Sequence, residues 1–245
     1  MPRIEMTIVG LVAVFTLTSV AAAPAQACTN APAGLLGWWS GDFDGRDKAG
    51  VAHGELVGAA FEAGVVLDAF SFDGFDDYVE VAQDSVLELT NSGTIAAWVR
   101  PSVGAPSENH PIASKGDFSA GSGFALYLTP SGALAFQVGD GHTFDDIITS
   151  TVVAVDQWTH VAYTWDTASA AMSGVVNGVE VWTAVLDQPA QTQGYPLRIG
   201  SSDDGNRNFA GGIDEVLLFD TAITTAELAS IYAAAADGLC CVDNG

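Results

Sequence analysis

The chain has 245 residues and carries 30 Asp plus Glu against 7 Lys plus Arg, a formal net charge of −23. Nucleic acid binding needs a basic surface, so that class is excluded, and anionic membranes are poor partners for the same reason. The acidic balance favours solubility and cation binding, and the length suits one all-β domain.

Residues 1–27 read as a secretory signal peptide. Arg3 supplies the positive start, Ile8 to Val20 the apolar stretch, and Ala25-Gln26-Ala27 the small-x-small cleavage site. The apolar run is short for a membrane helix, which needs ~20 residues. Cleavage there would leave Cys28 first, but a lipid anchor is disfavoured because Ala25 stands where a lipobox prefers Leu. The expected domain is 28–241, with 242–245 as a tail and export as the destination. Only Cys28, Cys240 and Cys241 occur, at the two ends of that domain. In an oxidising compartment a bridge from Cys28 to either member of the pair would staple the termini. The odd thiol stays free or pairs between chains.

Strands and turns follow nearly throughout. Thr94 to Val99 alternates and stops at Pro101. Phe124, Leu126 and Leu128 share one face, as do Leu134, Phe136 and Val138, and Pro130-Ser131-Gly132 turns between the two runs. Val161, Tyr163 and Trp165 share a face. Asn177-Gly178, between Ser173–Val176 and Val179–Thr183, is a type I′ hairpin signal. Tyr195 to Gly200 and Ile213 to Phe219 complete the strands. One helix is predicted: Thr224 and Glu227 make a capping box, Leu228, Ile231, Tyr232 and Ala235 recur at helical spacing, and Gly238 is the stop. Many short strands with little helix predict a two-sheet antiparallel sandwich or jelly roll.

Candidate chemistry is sparse. Asp42-Phe43-Asp44-Gly45-Arg46-Asp47 packs three carboxylates around a turn glycine, a composition suited to the hard oxygen ligands of calcium. It lacks the spacing of an EF-hand, and Arg46 and Lys48 would neutralise the loop without a metal. Asp214 sits in a strand between apolar neighbours, where an unpaired charge is costly. Asp76-Asp77, Asp145-Asp146 and Asp203-Asp204-Gly205-Asn206 read as solvated loops, with a second ion as the alternative. Trp38, Trp39, Trp98, Trp158 and Trp165 lie in strand-like runs and read as core or half-core. Trp182 at a hairpin end, and Phe144 in a loop beside His142 and Asp145, are the aromatics left to stack on a sugar. His160 reads as a satisfied structural residue.

Four stretches in order, Gly37-Trp38-Trp39-Ser40-Gly41-Asp42, Ala69 to Val79, Trp158-Thr159-His160-Val161-Ala162 and Gly211-Gly212-Ile213-Asp214-Glu215-Val216, resemble the laminin-G-like domain of the concanavalin A-like lectin/glucanase superfamily. The resemblance covers Leu35 to Cys241 and implies a concanavalin A-like sandwich that binds rather than catalyses. It implies a calcium site from Asp47, backbone oxygen near His53, and Asp214. It also favours Cys240 as the partner of Cys28. Glucanases of the superfamily use a Glu-x-Asp-x-x-Glu strand, whose two Glu serve as nucleophile and acid/base. Here those positions are Gly212 and Leu217, so that machinery is missing. The implied function is a secreted, calcium-assisted module for an extracellular glycan; a structural or adhesive protein-interaction domain is the alternative.

Overall fold

The computed structural model describes residues 28–102, 108–117, 120–186, 189–190, 192, 194–202 and 205–240. Residues 1–27, expected to be a signal peptide, Cys241, Asp203-Asp204 and residues 242–245 lie outside the described residues. The described chain is a sandwich of two antiparallel sheets with one short helix.

The first sheet has eight strands. Its path is β13 (Val179–Ala184), β12 (Ala171–Val176), β11 (Thr159–Asp166), β6 (Ser92–Pro101), β15 (Ala210–Phe219), β4 (Asp68–Asp73) and β3 (Ala60–Ala63), with β1 (Leu35–Trp39) also on β15. The second sheet runs β10 (Phe144–Val152), β9 (Ala133–Asp140), β8 (Ser122–Leu128), β7 (His110–Lys115), β14 (Leu197–Ile199), β5 (Tyr78–Val81) and β2 (Gly54–Val57). Strict alternation places Ile95, Ala97, Val99, Val161, Tyr163 and Trp165 against Phe124, Leu126, Phe136 and Val138 in one core between the sheets. The predicted hairpin at Asn177-Gly178 forms, and both residues adopt the positive φ that a type I′ turn requires, 49° and 74°.

The predicted helix is α1 (Thr225–Ala234), capped by Thr224 and Glu227 in a complete capping box. Leu228 and Ile231 of α1 join Trp38, Ala96, Ala162, Leu217 and Phe219 in a second cluster. The helix therefore covers the outer face of the first sheet. No helix among the described residues is long and apolar enough to cross a membrane.

The termini meet. Thr29 pairs with Leu239, Cys240 N–H donates to the Thr29 carbonyl at 2.9 Å, and Cys28 is bonded to Cys240 across a separation of 212 positions. A cross-link of that span stabilises by up to about 5 kcal/mol in the chain-entropy model. Cys28→Ser should accordingly lower the denaturant midpoint of the oxidised protein, and reducing the wild type should bring it to the same midpoint. Equal midpoints for oxidised and reduced wild type would show that the packed termini hold without the bridge.

Candidate functional site

Of the residues singled out by the sequence, Asp214 belongs to a buried acidic cluster with Glu215 and Asp42 at the first sheet. It is built around an irregularity in β15. Asp214 pairs with Trp98 and Leu217 with Ala96, so Glu215 and Val216 together oppose Ala97 alone. Glu215 takes a φ of 52°. This two-against-one bulge keeps Ile213, Val216 and Leu218 in the main core and Leu217 and Phe219 in the helix-side cluster. Glu215 is thereby spared from pointing into the core, and its Oε2 accepts from the Trp38 indole at 3.1 Å. The bulge lies where β15 passes from β4, paired through Ile213, to β1, paired from Val216.

Asp214 is fully buried. Its Oδ2 accepts the N–H groups of Val65 and Val66 at 2.7 and 3.0 Å, from the turn between β3 and β4. A side chain at Gly64 would come within 2.5 Å of that oxygen, so the turn needs glycine. Asp214 Oδ1 and Glu215 Oε1 are buried without a hydrogen-bond partner. Burial pushes the Asp214 carboxyl up to about 7, with nearby Asp42 adding to the rise and the backbone donors opposing it. Burial and then the Asp214 charge push Glu215 up to about 8. Lys48 stands beside them. Its ammonium pairs with Asp42 and lies 5.2 Å from the centre of the Trp38 ring.

Asp47 holds a separate set of donors. Its Oδ1 accepts from Trp38 N–H and Ala49 N–H, both at 2.9 Å, and its Oδ2 accepts from Ala52 N–H at 3.2 Å. The His53 ring Nδ1 accepts the N–H of Asp47 itself at 3.2 Å. Asp47 thus closes the loop from Trp38 to His53 upon itself, and Trp38 ties that loop to Glu215. Three acids do converge elsewhere: Asp73, Asp76 and Asp77 bring ligand atoms within 4.8 Å of one another on an exposed turn. There, Asp77 accepts from Asp73 N–H and Asp73 from Phe75 N–H, as loop-closing acids do.

His160 lies in the same region and departs from expectation. It is buried beside Trp98, with ring centres 5.3 Å apart, and its Nδ1 has no partner. Burial lowers it to about 4, so it is neutral. Trp182 is not an exposed platform; it is half-buried and packs against the core, 6.4 Å from Tyr163. Phe144 is not in a loop; it opens β10, paired with Gly139. Of the two positions that a glucanase fills with Glu, Leu217 lies beneath α1. Gly212 has no space: a side chain there would meet Glu62 Oε1 at 2.2 Å and the Trp158 ring at 2.6 Å.

The outer face of the second sheet is the feature that sequence reading missed. Its floor is made of small residues, Ala125 on β8 and Ala135 on β9, clustered with Tyr127. The Tyr127 hydroxyl donates to Asp146 on β10, so its ring crosses β9 where Ala135 leaves room. Burial and the Asp146 charge keep that hydroxyl protonated. A shallow depression beside it is lined by Asn109, Ser114, Gln137, Ser202 and Arg207. These come from two strands, β7 and β9, and from the loops before β7 and after β14. The only signal in the sequence was the run of small residues at alternate positions, which reads equally as weak strand.

The family is shown by comparison. A model described as the concanavalin A-like lectin/glucanases superfamily, of laminin G type, matches residues 72–229, and the chain belongs to that family. No curated protein matches the sequence. Domain 4 of AbnA, a GH43 extracellular arabinanase from Geobacillus stearothermophilus, solved with arabinotriose, is 20% identical with a TM-score of 0.67, over 80% of this chain and 97% of that one. The CBM40 of Ruminococcus gnavus IT-sialidase, bound to alpha2,3 sialyllactose, is 14% identical with a TM-score of 0.58, over 67% and 95%. The binding domain of botulinum neurotoxin serotype G is 13% identical with a TM-score of 0.64, over 81% and 50%. Identities this low establish the fold alone.

Asp47→Ala should cost about 3 kcal/mol of unfolding free energy, because it strands buried N–H donors. Denaturant titration in excess chelator isolates this structural role. Unchanged stability there would mean that the Asp47 hydrogen bonds contribute nothing without a metal.

Proposed function

We propose that this chain is a secreted, non-catalytic binding module that seats an extracellular carbohydrate on the outer face of its second sheet. The observation that carries the reading is the small-residue floor with Tyr127 laid across it, rimmed by amide, hydroxyl and guanidinium groups. Sugars need a few fixed polar groups for their hydroxyls, and a ring face would dock here by displacing the contacts that bury Ala125, Tyr127 and Ala135. α1 leaves this face uncovered. Two solved structures of the same fold hold oligosaccharides. Export is supported by the leader-like segment at 1–27 and by the disulfide. The non-catalytic part rests on Gly212 and Leu217. A glycan array should give saturable binding that Gln137→Ala weakens without unfolding the protein. Silence on the array together with capture of a protein partner would favour the adhesive alternative.

Calcium assistance belongs to the same proposal. The donor chemistry that fits a hard cation is the pair of open buried oxygens, Asp214 Oδ1 and Glu215 Oε1, with Asp42 nearby. Asp47 would keep the adjoining loop in place and His53 would border it. Bound calcium would neutralise carboxylates that otherwise oppose one another, and Lys48 is the competing internal cation. Millimolar calcium should raise the melting temperature over excess chelator, since a ligand of the native state stabilises it; Asp214→Ala should remove the shift. Identical melting curves in calcium and chelator would assign the neutralising role to Lys48 and retained protons.

A further inference from the structure

We infer that the sugar taken by the outer face of the second sheet carries a carboxylate, and that Arg207 binds it; the inference rests on the glycan-binding reading above and adds the ligand's charge. The starting point is where the few cations go. Of seven basic residues, Arg3 lies outside the described residues. Five of the other six have partners. Arg46 pairs with Asp44, Lys48 with Asp42, Arg100 with Glu62 at 2.6 Å, and Arg198 with Glu80 at 2.9 Å, while the buried Lys115 ammonium donates to the Tyr195 carbonyl. Among the described residues, only the guanidinium of Arg207 has neither a carboxylate nor a carbonyl against it.

With 30 acids against 7 bases, a guanidinium with no carboxylate against it among the described residues is the unexpected outcome. Its backbone is nevertheless fixed. Arg207 N–H donates to Ser202 Oγ at 3.2 Å, its carbonyl accepts from Ser202 N–H at 2.9 Å, and the next residue, Asn208, ties the loop to the carbonyls of Phe75 and Gly205. The side chain lines the depression that holds Ser114, Gln137 and Asn109. Asp146, the acid of this face, already accepts from Tyr127 and makes no ion pair with Arg207 within 4.0 Å. An anchored backbone, an uncommitted planar fork and hydroxyl-binding groups beside it are what a sugar carboxylate needs. Arginine binds a carboxylate through two parallel hydrogen bonds.

The net charge of −23 limits the ligand further. The field of the whole protein repels polyanions, so a single cation serves one acidic sugar in an otherwise neutral chain rather than a run of them. A uronate fits better than a sulfate ester, whose charge is spread over a tetrahedral group that lacks the planar match.

The test uses matched oligosaccharide pairs on an array and then by calorimetry: a glucuronate-terminated glycan, the same glycan ending in glucose, and its sulfated counterpart. The wild type should bind the uronate about tenfold or more tightly than the glucose member, the size of one charge-assisted hydrogen-bond pair. Arg207→Gln should erase that preference by weakening the uronate member far more than the glucose member, with the melting temperature unchanged, and Arg207→Lys should restore part of it. Gln137→Ala should weaken all members alike. Equal binding of the uronate and glucose members would overturn the inference and leave the glycan reading standing. Preference for the sulfated member would overturn the choice of carboxylate. Failure of every member to bind, with free glucuronate at high concentration shifting no NMR signal of the protein, would remove both readings.

Discussion

One extra residue in β15 governs the helix side of this molecule. A regular strand through Ile213-Asp214-Glu215-Val216 would have to turn either Glu215 or Val216 the wrong way, because strand faces alternate with a period of two. The bulge resolves this by letting Asp214 and Glu215 leave the core together while Val216 re-enters it. The cost is a non-glycine residue at positive φ and two carboxylates with one unpartnered oxygen each. What offsets that cost is local: the Val65 and Val66 N–H groups on Asp214, the Trp38 indole on Glu215, and the Lys48 ammonium on Asp42. Each comes from a different segment, and the contacts add to the strand pairing and loop bonds that already hold those segments. The bulge therefore fixes the β3–β4 turn, the loop after β1 and β1 itself in one arrangement.

That arrangement decides which face is available for a ligand. β1 brings the N-terminal segment to the last strand, the disulfide joins it to the end of the chain, and α1 lies over the same side. The helix and the disulfide-joined terminal segments consequently cover the outer face of the first sheet. Among the described residues, no helix covers Ala125 and Ala135 on the second sheet, although both are buried. Their burial comes instead from Tyr127, which lies flat because alanines flank it. A face shielded by one ring and a few polar side chains can exchange those contacts for a ligand; one shielded by a disulfide-tethered helix cannot.

The fold was legible because its signals are local. Alternation in Thr94–Val99 and Phe124–Leu128, the Asn177-Gly178 turn and the Thr224–Glu227 box each depend on residues a few positions apart. Glu215 was not legible as a partner of Trp38, since a register offset is set by the neighbouring strands β6, β4 and β1 and leaves no periodic trace in β15. Asp47 drew attention as a metal ligand because a carboxylate in a glycine-bearing loop serves cations and backbone N–H groups equally well; only the hydrogen-bond geometry shows which groups reach it. The face proposed for the ligand was invisible for a related reason. Ser114, Gln137 and Arg207 are ordinary residues in sequence, brought together by the order β9-β8-β7 and by a loop that returns from β14.

The acids themselves divide by physical setting rather than by sequence context. Asp73, Asp77 and Asp140 stand at turns, where their oxygens accept nearby N–H groups, although partial burial raises Asp77. Asp140, at the end of β9, is held below the usual carboxylate range by the N–H groups of Thr143 and His142. Asp214 and Glu215 stand where water is excluded, and the same charge is pushed the other way. A net charge of −23 is tolerable for the first group because each member meets solvent. It would not be for the second without a proton, Lys48 or a metal at hand. Function, if it follows charge in this protein, follows from the few places where a charge is left without its usual compensation.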